Sequence, residues 1–164
     1  MRTALFVLLI GALRVIVTQS SGQNSPWTIS TCAIAKSAGK RIGTGPLQYT
    51  IPRRARLKKV KDVDYFEYLV ASKSGDSRSF LTLLWGVNES LSPPPLSSDS
   101  RRVVNLSGDL NGLDSRGATV TEGVEVKWRF VKVGNGVAEY KNATAENVVY
   151  FDQIIDSACF VAVY

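Results

Sequence analysis

The sequence predicts an α+β fold: mostly antiparallel β-sheet, with one C-terminal amphipathic helix packed on it and a final strand after the helix. Three observations predict it. Short segments alternate apolar and polar side chains along much of the chain, which is the period of a half-buried strand. Turn signals punctuate them, chiefly Ser74-Gly75-Asp76 and Gly134-Asn135-Gly136. One stretch only, after Thr144, places apolar residues at helical spacing. Strands followed by a helix and one more strand is an α+β order.

In chain order, Trp27 to Ile34 (WTISTCAI) is rich in β-branched residues and reads as a first strand. Lys36 to Pro46 carries three glycines and a proline and is expected to be a loop. Leu47 to Pro52 (LQYTIP) is a short strand ended by proline. Arg53 to Lys61 is expected to be a basic connector. From Asp64, DYFEYLVAS sets Tyr65, Glu67 and Leu69 against Phe66, Tyr68 and Val70, and Ser79 to Val87 returns as a buried strand. Asn88 to Ser100 contains Pro93, Pro94 and Pro95, which cannot donate ladder hydrogen bonds, so it reads as a stiff loop. Arg102 to Ser107, Arg116 to Thr121 and Val124 to Lys132 are further strands. In the last, Val124, Val126, Trp128 and Phe130 share one face and Glu125, Lys127 and Arg129 the other. Val137 to Lys141 follows the Gly134-Asn135-Gly136 turn.

The helix begins at Thr144, a capping residue, with Glu146 placed to meet its dipole. Val148, Phe151 or Asp152, Ile155 and Ala158 follow the i, i+3, i+4 rule, widened by Val149, Tyr150 and Ile154. Asp152, Gln153 and Asp156 are expected mainly on the outer side. CFVAVY, residues 159–164, is expected as the closing strand.

The two ends of this pattern resemble the PsbP-like α/β/α sandwich. Its members share an early aromatic and apolar strand ending in proline, matched here by Tyr49, Ile51 and Pro52. They close on a helix whose last turn precedes a strand opening with a large apolar residue, matched by Phe151, Ile154, Ile155, Ser157 and Phe160. The resemblance covers the ends and not the middle, and rests on packing motifs. It implies a noncatalytic exported accessory or binding domain and carries no active-site residues; a fold alone does not supply a function.

The first residues stand apart. MRTALFVLLIGALRVIVTQSSG has a basic head at Arg2, an apolar run from Ala4 to Leu13, and small residues at Ser20, Ser21 and Gly22. That is the layout of a secretory signal peptide, expected over residues 1–22. The apolar run falls short of the roughly 18 residues that a spanning helix needs. A single exported domain over 23–164 is expected to follow. The chain has 20 basic and 14 acidic residues. Losing Arg2 and Arg14 with the leader leaves 18 against 14, or +4, too mild and too dispersed for a dedicated nucleic-acid binder. The two cysteines, Cys32 and Cys159, would pair as a disulfide in an oxidising compartment.

The chain has no histidine. This removes Ser-His-Asp and Cys-His nucleophile systems and every imidazole metal site. Carboxylate chemistry remains, with Asp62 and Asp64 the best available pair. The plainer reading is that they balance the basic run just upstream. Gly108 to Gly117 offers Asp109, Asn111 and Asp114 as oxygen ligands. A calcium loop counted from Asp109 needs glycine sixth and glutamate twelfth, where Asp114 and Val120 stand. A glycine-rich hairpin or bulge is expected instead. No metal and no cofactor is expected.

The basic run holds Arg53, Arg54, Arg56, Lys58, Lys59 and Lys61. It can attract an anionic polymer, an acidic membrane surface or an acidic protein, or can be a solvated connector. The aromatics lie beyond it rather than between its charges, which disfavours nucleic acid. Asn88, Asn105 and Asn142 head N-x-S/T sequons, glycan acceptors only in a eukaryotic secretory pathway. The expected function is a noncatalytic binding or accessory domain of the cell envelope or extracellular space. The alternatives are a carboxylate-dependent secreted hydrolase and a host-directed secreted interaction protein.

Overall fold

The computed structural model describes residues 26–32, 39–61, 64–75, 78–86, 100–106 and 111–161. The leader, Asp62, Asn88, the three prolines and Asp109 lie outside the described residues.

Eleven strands and one helix are described: β1 (Trp27–Ile29), β2 (Gly39–Thr44), β3 (Leu47–Pro52), β4 (Leu57–Lys61), β5 (Tyr65–Ala71), β6 (Phe80–Gly86), β7 (Ser100–Leu106), β8 (Asn111–Thr121), β9 (Val124–Val133), β10 (Gly136–Ala143), α1 (Ala145–Asp156) and β11 (Cys159–Phe160). Eight form one sheet in the order β1-β7-β8-β9-β10-β6-β5-β4, and three form a second, β11-β3-β2. Every pairing is antiparallel except β1 with β7. The expected α+β architecture, mostly antiparallel sheet with one C-terminal helix and a strand after it, is what the chain adopts.

Alternation along the strands decides what the two sheets bury. On the large sheet, Val70, Leu81, Leu83, Val104, Val131, Val133 and Ala138 turn to one side. There they meet Ile42, Leu47, Tyr49 and Ile51 of the small sheet and Phe151, Ile154 and Ile155 of α1 in one continuous core. Each fully buried valine, leucine, isoleucine or phenylalanine among them contributes roughly 1.5–3 kcal/mol. The opposite face carries a smaller cluster of Leu84, Phe130 and Val137, flanked by Tyr65. The expected split of β9 into two faces holds. The core side, however, is the one with Arg129, and Trp128 and Phe130 lie on the other.

Several expected boundaries move. Gly39–Thr44 is strand β2, not part of a loop, and Leu57–Lys61 is strand β4, not a connector. Both are sheet edges, where a strand needs only partial burial and tolerates glycine and charge. Of the stretch expected as a hairpin or bulge, Asn111 to Gly117 is the first part of β8, which pairs antiparallel with the preceding β7 as far as Asn105↔Asn111; residues 108–110 lie outside the described residues. The first strand ends at Ile29, and the last covers only Cys159 and Phe160. Glu122 and Gly123 both have positive φ, as the two-residue turn of the β8–β9 hairpin demands.

Thr144 stands in extended conformation at the N-cap of α1, although its side chain makes no capping bond. At the other end, the Ser157 hydroxyl donates to the Ile154 carbonyl (2.6 Å) and accepts from the Thr50 amide (2.8 Å). That pins the helix terminus to β3. Cys32 and Cys159 form the expected disulfide, across 127 residues. The Cys32 amide donates to the Phe160 carbonyl, and the Phe160 amide to the Ser30 carbonyl. The segment after β1 therefore joins the large sheet to the small one. Closing so long a loop stabilises by roughly 3–5 kcal/mol on chain-entropy grounds.

Candidate functional site

The basic run does not behave as a single feature. Arg53 and Arg54 occupy the turn after β3, held by the Ala55 amide donating to the Pro52 carbonyl (2.9 Å). Arg56 follows, and its carbonyl accepts from the Ala71 amide (3.0 Å), so β4 starts in register against β5. On β4, register then sorts the lysines. Lys59 stands opposite Tyr68 and Lys61 opposite Phe66, each ammonium lying over the facing ring at 5.7 and 5.8 Å. Lys58 points to the other face. There burial pushes the Glu67 carboxyl up from its ordinary value, with Lys58 acting against the rise. All six basic residues are exposed. None of them forms an ion pair among the described residues.

Beside this turn lies a groove of about 610 Å³, within the range of small-molecule sites. Three elements build its walls. The β3–β4 turn supplies Arg54 and Arg56, the end of β5 and the residues after it supply Lys73, and α1 supplies Glu146 and Tyr150. Its apolar lining includes Val149, 60% exposed on a helix face that the spacing had assigned to the core. Burial raises the Tyr150 hydroxyl above the ordinary tyrosine value. Lys73 and Glu146 approach to 3.7 Å across the groove, both largely exposed. The next helix residue, Asn147, is fully buried and exchanges hydrogen bonds with Ser74 (3.2 and 3.4 Å), which clamps the loop after β5 to the helix. Three cations against one carboxylate leave the rim of this apolar-lined groove with a net positive charge. A smaller cavity of about 260 Å³ adjoins it, sharing Pro52 and Gln153.

A second charged cluster went unread in the sequence. Arg129 on β9 has no exposed surface. Its Nε and Nη2 donate to the two carboxylate oxygens of Asp114 on β8 (3.0 and 2.9 Å), a bidentate fork. Its Nη1 donates to Asp152 (2.8 Å) and its Nη2 also to Asp156 (2.7 Å). Tyr140 donates to Asp152 (3.1 Å), Arg116 donates to Asp114 (3.2 Å), and the Trp27 ring lies 5.5 Å from the guanidinium. The two helix aspartates expected mainly on the outer side instead turn onto this arginine. Burial by itself would lower the Arg129 pKa. Hydrogen bonds and charge from Asp114, then Asp156 and Asp152, reverse that, and the net shift is upward. The guanidinium stays charged, and these carboxylates are held as its partners.

The remaining candidates lie apart. Asp64 is exposed and lines neither cavity. Asn111 opens β8, and Asp114, three residues on, is spent on Arg129. Asn105 sits on β7, opposite Asn111, and Asn142 is exposed with positive φ beside an irregularity in β10.

Protein-family models, curated proteins and solved structures contain no match to this chain.

Proposed function

We propose that this chain is an exported, noncatalytic binding module that engages an anionic partner through the β3–β4 turn, strand β4 and the adjoining groove. The observation that carries this reading is the charge inventory of that surface. Arg53, Arg54, Arg56, Lys58, Lys59 and Lys61 are all exposed and lack carboxylate partners among the described residues. Arg129, by contrast, is neutralised within the fold by Asp114, Asp152 and Asp156. Six cations in nine residues, of which only Lys58 has a carboxylate nearby among the described residues, at Glu67, repel one another and raise local affinity for anions.

Export is supported by the leader-like residues 1–22 and by the disulfide, since such bonds persist outside reducing compartments. The PsbP-like resemblance belongs to the same proposal. Tyr49, Ile51, Phe151, Ile154 and Ile155, which suggested it, pack into one core, and Ser157 bonds to β3. That packing supports a domain closed by its two ends. A carboxylate hydrolase has less support, because Asp114, Asp152 and Asp156 are committed to Arg129 and Asp64 stands away from both cavities.

The test is binding of poly-L-glutamate at low and high salt. The quadruple variant Arg54→Gln, Arg56→Gln, Lys58→Gln, Lys59→Gln is expected to lose at least about tenfold in affinity at low salt, with the difference shrinking as salt screens the surface. Unchanged affinity in that variant would remove the reading.

A further inference from the structure

Strand β4 is the last strand of the large sheet, and among the described strands it pairs only with β5. Its hydrogen-bonding phase follows from one bond. The Ala71 amide donates to the Arg56 carbonyl, which places the bonded antiparallel pairs at 56 with 71, 58 with 69 and 60 with 67. The alternating pairs Leu57↔Val70, Lys59↔Tyr68 and Lys61↔Phe66 do not bond to one another. The amide and carbonyl groups of Leu57, Lys59 and Lys61 therefore point away from β5, along the free side of the sheet. No proline interrupts β4, and its pairing with β5 steps without a register shift. Among the described residues it is a regular edge with open donors and acceptors at the spacing a strand requires.

Lysines on an edge ordinarily prevent strands from adding to it. The effect depends on who arrives. A second copy would bring its own Lys58, Lys59 and Lys61 against these, and like charges across a strand pair are unfavourable. An acidic segment would bring the opposite sign. Lys59 and Lys61 are laid along one face over Tyr68 and Phe66, and Lys58 stands on the other, so side chains of an added strand would meet a cation on either face. The groove opens at the N-terminal end of this edge, where Arg54 and Arg56 line it.

We propose that β4 accepts an extended acidic segment of another protein as an added strand, its backbone pairing with Leu57, Lys59 and Lys61 and its carboxylates meeting the three lysines. This rests on the reading of the basic surface as an anion-binding one and names the partner for it. Strand addition couples sequence-tolerant backbone bonds to side-chain selection, which a flat charged surface does not.

The experiment uses the full chain and a pool of capped heptapeptides carrying Glu at every second position. Two further pools are N-methylated, one at the Glu amides and one at the intervening amides. In an added strand, alternate amides face the sheet edge, so one methylated pool is expected to lose at least about tenfold in affinity while the other retains it. On the protein side, Lys59→Pro removes an outward N–H and no bond to β5. It is expected to weaken binding at least about tenfold beyond Lys59→Gln. Both methylated pools behaving alike, no binding of the parent pool at millimolar concentration, or a folded Lys59→Pro variant that binds as Lys59→Gln does would each overturn strand addition. Poly-L-glutamate binding that falls in the quadruple glutamine variant under any of these results leaves the anion-binding reading standing alone. A concentration-dependent dimer abolished by Lys59→Pro would assign the edge to a second copy and overturn the acidic-partner assignment.

Discussion

Arg129 and the Arg53–Lys61 stretch are the two places where this chain concentrates positive charge beside structure, and they handle it in opposite ways. Arg129 is sealed between β8, β9 and α1, shares its donors among three aspartates, and has the Trp27 ring against it. The six cations of the turn and β4 are exposed and form no ion pair among the described residues, apart from the opposing influence of Lys58 on Glu67. Taking a guanidinium out of water costs several kcal/mol unless every donor is matched, so a buried arginine arrives with its carboxylates or not at all. An exposed cation has no such requirement, and its field is left over for whatever approaches. Charge that the fold consumes can thus be told from charge that it presents.

Removing Arg129 should break this contrast most severely. Arg129→Met leaves Asp114 buried beside an apolar side chain and should cost about 3–5 kcal/mol in urea or thermal unfolding. Adding Asp114→Leu to it should restore most of the loss, because the stranded charge is then gone. A cost below about 1 kcal/mol for Arg129→Met would mean that the cluster is not sealed from water.

The three carboxylates grade the same effect. Side-chain exposure rises from 1% at Asp114 to 24% at Asp152 and 52% at Asp156. Asparagine replacements should therefore fall in that order. Asp114→Asn should be largest, Asp152→Asn about 1–2 kcal/mol because the bonds it accepts from Arg129 and Tyr140 are no longer to a charged oxygen, and Asp156→Asn below about 1 kcal/mol because solvent screens it. An inverted order would place the anchor of Arg129 on the helix rather than on β8.

Alkaline pH probes the cluster through Tyr140, whose hydroxyl is pushed up by burial and then by the Asp152 charge and hydrogen bond. Unfolded tyrosine ionises near its ordinary value of about 10, while folded Tyr140 keeps its proton to higher pH. The unfolded state then binds fewer protons, so stability falls as pH rises above about 10. Burial raises Tyr49 in the same direction. Tyr140→Phe should flatten the alkaline limb of a plot of melting temperature against pH without abolishing it. An unchanged limb would sever Tyr140 from the effect.

Much of the sheet was legible because β3 and β5 alternate in side-chain character, while β6, β9 and β10 are largely buried on both faces and are bounded by clear turn signals. The helix and the disulfide were legible for similarly local reasons: a capping threonine, helical spacing, and two cysteines with no other partner. Strands β2 and β4 were not, because GKRIGT and LKKVK sit at edges where one side meets water and glycine or lysine carries no penalty. Arg129 was misread for a different reason. Alternation separates the faces of β9 but does not say which is inner, and here both are buried. Asp114 lies in a glycine-rich stretch whose local pattern points at most to oxygen ligands, and nothing local ties it to an arginine fifteen residues on. The basic rim of the groove was visible in sequence, whereas Lys73 and Tyr150 join Arg54 and Arg56 only through the β5 loop and the helix face.

The smallest expected effect sharpens the contrast from the presented side. Arg54→Gln with Arg56→Gln removes two exposed cations that have no carboxylate partner, so unfolding stability should change by no more than about 0.5 kcal/mol. Its sign should be favourable at low salt, because the remaining like charges of the run repel one another less. That small gain should vanish near molar salt, where the screening length is only about 3 Å. The same double variant should weaken poly-L-glutamate binding, so that stability and affinity move in opposite directions within one pair of substitutions. A stability loss above about 1 kcal/mol would make these arginines structural like Arg129, and the separation between consumed and presented charge would fail at the surface where the binding proposal needs it.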